Sequence, residues 1–228
     1  MRTGYASCSI RSSSRRVESK VKTLDLIRRR LAAPRPSIDP RARLLGNIEG
    51  PVSPQLREVL DRPARPASVL LALLERAGGP TVLFTERAAH LKDHAGQISL
   101  PGGRIAAGET PAEAALREAH EEVGLVPAAV EVVGLLDGFL TGSGFTIVPV
   151  VGVVGDPDFV AVPDPREVAG VFEVPLGVVL DRTAMGIGYF ERHGSRLLTY
   201  DLHYGGRRIW GATAAVLRNF QDVILDDK

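Results

Sequence analysis

Glu118, Glu121 and Glu122 crowd one short stretch in the middle of the chain. On a helix, residues three and four apart share a face, so these carboxylates project together and reach a single ion. Three like charges so placed repel, a cost that a purely structural helix has no reason to carry. A hard divalent cation removes the repulsion: Mg²⁺ takes oxygen ligands, keeps several waters and is commonly shared with substrate phosphates. Arg117 sits beside the cluster. It can pair with Glu113 or Glu121 along the helix, or with Glu109 in the preceding loop, and so hold the acidic face in place.

The helix that carries these groups has legible ends. Thr110 is a good N-cap, Pro111 suits the first helical position and Glu113 completes a capping box. Gly124 stands where the helix should stop. Ala112, Ala115, Leu116, Ala119 and Val123 form an apolar stripe at helical spacing, small enough to lie close against a sheet. Upstream, Val69 to Leu74 reads as a doubly covered strand, Ala77 to Pro80 as a turn and Thr81 to Thr85 as the returning strand. Gln97 to Leu100 predicts a short strand running into Pro101-Gly102-Gly103. Downstream, 130–136, 147–154, 171–174, 189–191 and 197–203 read as strands, with a flexible loop at 141–144 and a turn at 193–195. Residues 212–220 read as a helix. Strands and helices mix without strict alternation, which predicts an α/β sandwich with a mixed sheet.

Length and composition suit one sizeable domain with extensions: 228 residues, 44% apolar and 24% charged. No apolar run approaches the roughly 20 residues of a membrane span, so no membrane is expected. The lone cysteine, Cys8, excludes an internal disulfide; we expect a reducing, cytoplasmic setting and no disulfide-linked partner. Residues 1–44 carry twelve Lys/Arg against three Asp/Glu, a balance of +9, which leaves −8 for the rest of a chain of net charge +1. They read as a solvated basic extension ending in one helical segment, Thr23 to Leu31. A nucleic-acid arm or transit peptide is disfavoured, because the stretch lacks interleaved aromatics and an apolar signal core. Pro34, Pro36 and Pro40 mark a linker. The expected division is 1–44 extension, 45–66 linker and packing segment, 67–222 catalytic domain and 223–228 acidic tail.

Gly103, Glu109 and the run Arg117-Glu118-Ala119-His120-Glu121-Glu122-Val123-Gly124-Leu125 resemble the Nudix box, G-x5-E-x7-R-E-U-x-E-E-x-G-U, where U is apolar. Every fixed position matches; Ala119 is smaller than the usual aliphatic, which touches packing rather than chemistry. The resemblance implies a Nudix-type α/β/α sandwich and hydrolysis of a nucleoside diphosphate linked to another moiety, with Mg²⁺ or Mn²⁺ as cofactor. It implies Glu118 and Glu122 as main metal ligands, Glu121 as a third ligand or the base that activates water, and the Gly102 carbonyl as a further ligand. Glu109 would pair with Arg117 and organise the loop, with Gly103 and Gly124 shaping its ends. A cation there would neutralise the diphosphate and lower the pKa of bound water.

The segment before the box adds a narrower resemblance. Leu83-Phe84-Thr85-Glu86-Arg87-Ala88, then Lys92, Gly96 and Leu100-Pro101-Gly102-Gly103, is similar to the signature of the coenzyme A diphosphatase branch. Lys92 stands where that signature has Arg, losing the bidentate fork, and Leu100 where it has Phe. Residues 167–176 and 209–214 (IWGATA) look like the same branch. Coenzyme A carries a 3′-phosphate besides its diphosphate, and Arg87, Lys92 and His94 are the candidate substrate-binding cations. Glu167 reads either as a loop carboxylate serving as ligand or base, or as a surface acid beside Arg166. The expected reaction is cleavage of coenzyme A or a derivative to adenosine 3′,5′-bisphosphate and 4′-phosphopantetheine. The alternatives are another substrate such as ADP-ribose, or a non-catalytic nucleotide- or RNA-binding module. A small-molecule substrate is the expected partner; a homodimer stays open and nucleic acid is disfavoured.

Overall fold

The computed structural model describes residues 22–33, 39–91 and 96–226. Cys8 and the rest of the leader through residue 21 lie outside the described residues, as do Lys92 and His94.

The core of the molecule is an eight-stranded mixed sheet. Strands β2 (Arg65–Leu74) and β8 (Phe145–Val154) run parallel along their full lengths. Strand β3 (Thr81–Arg87) and the short β5 (Gly102–Arg104) pair with β2. Strands β4 (Ile98–Ser99) and β9 (Val168–Pro175) pair with β3; β6 (Val130–Leu135) and β7 (Phe139–Leu140) pair with β8. All pairs but β2–β8 are antiparallel. Strand β2 is continuously apolar because both of its faces are covered, and the pleat sorts its side chains. Leu70, Ala72 and Leu74 meet Ala115, Ala119 and Val123 of helix α4 (Pro111–Val123). Leu71 and Leu73 face a larger cluster that includes Phe220 of helix α6 (Gly211–Leu225) and Leu24, Ile27 and Leu31 of helix α1 (residues 22–32). This is the three-layer α/β sandwich expected from the sequence. Phe220 is fully buried, and its truncation to Ala costs about 3–5 kcal/mol.

Several segments depart from expectation. The basic extension is not merely solvated where it is described. Leu24, Ile27 and Leu31 recur at helical spacing and bury in the main core, while Arg28 forks onto Glu131 at 2.7–3.2 Å. Pro40, expected in a linker, starts a helix, and Pro54 within the segment expected as linker and packing starts another. They open α2 (Pro40–Gly46) and α3 (Pro54–Asp61), with Asp39 and Ser53 as caps accepting from Arg41 and Leu56 amides. A proline at the first helical position lacks only an N–H that would have no helical partner. Strand β1 (Ile48–Glu49) lies between them, and Leu44, Leu56 and Leu60 form a third cluster with Leu140 and Leu197. At the other end, α6 runs on to Leu225 with Val223 and Ile224 buried, so helix occupies the start of the stretch expected as an acidic tail.

A second, antiparallel sheet is built by β10 (Met185–Arg192), β11 (Ser195–Tyr204), β12 (Arg207–Trp210) and β1. His193 and Gly194 both have positive φ (49° and 70°), the two-residue hairpin geometry that matches strand twist. Helix α5 (Leu176–Val179) follows β9 and packs on the main sheet.

Candidate active site

Helix α4 begins and ends as its sequence dictates. Thr110 Oγ1 accepts from the Glu113 amide at 3.2 Å, and the Glu113 carboxylate accepts from the Thr110 amide at 2.8 Å. Gly124 closes the helix in the left-handed conformation at φ 71°, which a residue with a side chain adopts at a cost. Where β5 joins β2 the backbone comes very near: a Cβ on Gly102 would fall on the Ser68 carbonyl and Val69, and one on Gly103 would fall on the Glu118 carboxylate. The Gly-Gly pair therefore lets the start of the loop lie directly against the acidic helix.

Arg117 organises the outer half of this region. Its Nε donates to Glu109 at 2.7 Å and its Nη2 to the other Glu109 oxygen at 3.1 Å and to the Arg104 carbonyl at 3.0 Å. Its Nη1 donates to Glu118 at 2.9 Å and Glu121 at 3.3 Å. Glu109 accepts a further bond from the Ala106 amide at 2.8 Å. The Arg117 hydrogen bonds and then the Ala106 N–H hold its carboxyl down at about 2, and the bonds to Glu109 and Glu118 raise the guanidinium. Glu121 is largely exposed, whereas Glu118 is mostly covered.

Glu122 lies on the inner side and is 7% exposed. It accepts one bond, from the Gly102 amide at 3.2 Å. Burial pushes its carboxyl up to about 8; the charges of Glu118 and Glu167 push the same way, against the Gly102 N–H and Arg87. Burial also raises Glu118, against Arg117, and Glu121 and Glu167 add to the rise. Among the described residues, no three acidic or imidazole side chains already converge as a metal-binding group, because Glu118 and Glu121 are turned onto Arg117. The donor set nevertheless suits a hard cation: carboxylate oxygens that repel one another, one of them buried with a single N–H partner.

Glu167 comes from far along the chain and is brought here by a clasp of backbone bonds. The Val162 and Asp164 amides donate to the Val123 and Glu122 carbonyls at the end of α4, at 3.0 and 2.9 Å. The Asp164 carbonyl accepts from the Glu167 amide at 3.0 Å, and the Ala88 amide donates to the Glu167 carbonyl at 2.8 Å. Glu167 thus stands beside the end of β3, next to half-buried Arg87, with its own side chain exposed. Of the three sequence-predicted substrate cations, Arg87 is at the site; Lys92 and His94 lie outside the described residues.

Glu122, Gly102 and Arg87 form part of the wall of a cavity of about 380 Å³ between the two sheets. Phe190, Tyr200 and Trp210 form another part, and sequence reasoning assigned them no role. Only the IWGATA stretch carried a signal, since Trp210, Gly211, Ala212 and Thr213 all line the space. Among the described residues no helix is long and apolar enough to cross a membrane.

A family model described as NUDIX domain matches residues 64–186. A protein named "Uncharacterized Nudix hydrolase NudL" from Enterobacter sp. (strain 638) is 38% identical over 163 residues, 71% of this chain and 83% of that protein. One of the same name from Escherichia coli (strain K12) is 38% identical over 167 residues, covering 72% and 85%. Among solved structures, a Nudix hydrolase from M. Smegmatis, RenU, overlaps with a TM-score of 0.40 at 30% identity, over 49% of this chain and 71% of that one.

Proposed function

The chain belongs to the Nudix hydrolase family, whose members act on nucleoside diphosphate derivatives, and from that premise we propose that it cuts the diphosphate linkage of coenzyme A or its derivatives. The products are adenosine 3′,5′-bisphosphate and 4′-phosphopantetheine. The observation that carries the hydrolytic reading is Glu122, a buried carboxylate within charge reach of Glu118 and Glu167. The similarity of residues 83–103 to the coenzyme A diphosphatase signature supports the choice of substrate.

In this reading Glu118 and Glu122 hold Mg²⁺ or Mn²⁺, with Glu121 and the Gly102 carbonyl as further ligands. When bound, such an ion neutralises diphosphate charge and lowers the pKa of a water ligand. Arg117 and Glu109 keep the loop and the acidic face in register, and Gly103 lets the loop pass the Glu118 carboxylate. Arg87 orients the phosphates, and Lys92 and His94 are assigned to the 3′-phosphate. Water attacks one phosphorus, the bridging P–O bond breaks, and the departing phosphate keeps the bridging oxygen. The attacking water's proton goes to a carboxylate. Glu167 is the favoured acceptor over Glu121, because its charge acts on both Glu118 and Glu122 while Glu121 lies out along Arg117.

The test is incubation with coenzyme A, dephospho-coenzyme A and ADP-ribose, each with Mg²⁺ or Mn²⁺, with products read by mass. Coenzyme A should be cut fastest. Faster cleavage of ADP-ribose removes the substrate assignment.

A further inference from the structure

The segment that delivers Glu167 is fastened to the helix that carries Glu122. The last carbonyls of a helix have no helical N–H to accept from. Here the Glu122 carbonyl accepts from the Asp164 amide at 2.9 Å, and the Val123 carbonyl from the Val162 amide at 3.0 Å. From Asp164 the chain turns tightly: its carbonyl accepts from the amides of Glu167 at 3.0 Å and Val168 at 2.8 Å. Its half-buried side chain closes the same turn, one oxygen accepting from the Arg166 amide at 2.9 Å. An aspartate bonded to the backbone two residues on is a turn former. Pro163 and Pro165 flank it. Their fixed φ, and the restriction that Pro165 places on Asp164, leave the turn little freedom to lose on ordering. Arg166, next to Glu167 in the chain, forks onto Asp164 instead, its Nε donating to both oxygens at 3.0 Å.

We propose that Asp164 is a positioning residue for the hydrolysis: the turn it closes fixes Glu167 relative to Glu122, without a closing movement of the loop. The inference rests on the reading above in which Glu167 takes the proton of the attacking water. Two backbone bonds in series, Asp164 to Glu122 and Glu167 to Asp164, join the two carboxylate-bearing residues. The Ala88 amide holds the Glu167 carbonyl from the other side at 2.8 Å. A proton acceptor must stand within hydrogen-bond reach of the water it serves, and a misplacement of about 1 Å can lower a rate by about 10²-fold. Removing the Asp164 carboxylate leaves the two backbone bonds possible but takes away the bond that closes the turn between them.

The test compares the wild type, Asp164→Ala, Asp164→Asn, Glu167→Gln and the Asp164→Ala/Glu167→Gln pair in steady-state turnover with Mg²⁺. The substrate is whichever of coenzyme A and ADP-ribose the wild type cuts. Glu167→Gln should lower kcat by about 10²-fold. Asp164→Ala should lower kcat by about tenfold with KM changed by less than about twofold. Asp164→Asn keeps an acceptor for the Arg166 amide and should recover most of that loss. In the pair the Asp164 substitution should add nothing, since it acts through Glu167 alone. Amide hydrogen exchange at Glu167 should quicken in Asp164→Ala and stay near wild type in Asp164→Asn. Asp164→Ser, with a shorter acceptor and a smaller fall in kcat, takes over if thermal unfolding shows that the Ala variant does not fold. A wild-type kcat in folded Asp164→Ala beside a slow Glu167→Gln overturns the inference. So does unchanged exchange at Glu167, or a pair slowed by the product of the two single effects. Failure of the earlier reading has a different signature: Glu167→Gln itself turns over at the wild-type rate, which removes the proton acceptor and this inference with it.

Discussion

Glu109 and Glu122 stand at opposite ends of the same loop-and-helix segment, and the protein treats their charges in opposite ways. Glu109 receives two hydrogen bonds from Arg117 and one from the Ala106 amide, and its carboxyl is held at about 2. Glu122 is buried, receives a single backbone N–H, feels the charges of Glu118 and Glu167, and is pushed up to about 8. A carboxylate that shapes the fold is given its counter-charge by the chain. In the proposed reading, the carboxylate that would hold an ion is the one buried without enough counter-charge.

The sharpest way to break this contrast is at Glu122. Glu122→Gln keeps the shape and removes the charge, and turnover of coenzyme A should fall by at least about 10²-fold with an unchanged circular dichroism spectrum. Near-wild-type turnover would remove Glu122 from the chemistry. Next in size is Arg117→Lys. Lysine carries the charge but not the fork that serves Glu109, Glu118, Glu121 and the Arg104 carbonyl together. Mn²⁺ affinity, read by titrating activity, should weaken by about 10- to 100-fold. A wild-type affinity would show that the outer half of the site is not what positions the inner half.

The two carboxylates also predict opposite responses to pH. The Glu122 value in the folded state, about 8, lies above the ordinary 4.5, so its contribution is complete below pH 4.5 and is lost as pH rises through 8. Glu109 lies below 4.5, so its contribution is present above that pH and is lost only as pH falls toward 2. Denaturant unfolding in a chelator should therefore show stability falling between about pH 4.5 and 8, by no more than roughly 1.4 kcal/mol per pH unit. Glu122→Gln should flatten that slope, and saturating Mg²⁺ should do the same in the wild type. A slope that survives in the variant assigns it to some other group. The smallest expected effect is Thr110→Ala, which removes the cap from the end of α4 away from the carboxylates. It should cost about 1 kcal/mol in thermal unfolding and leave the turnover number intact.

Helix α4 was legible almost to the residue, because its capping box, its alanine stripe and its Gly124 stop are local signals. The long strands β2, β3 and β8 were legible for the same reason. The helices at Pro40 and Pro54 were hidden, since a proline that opens a helix and one that ends it differ only in the cap before it. The apolar stripe of α1 was masked by the surrounding charge run.

The candidate site divides along the same line. Residues along one chain segment sufficed to place Glu118, Glu121, Glu122 and Arg117 on a common helix, because helical periodicity is a short-range property. Which of these carboxylates loses its water, that Glu167 reaches the end of α4 through the clasp at Asp164, and that β10 to β12 and α6 wall the cavity were decided only in three dimensions. Desolvation and charge act through space, and here Glu167 and Arg87, whose charges join that of Glu118 at Glu122, come from segments far apart in the chain.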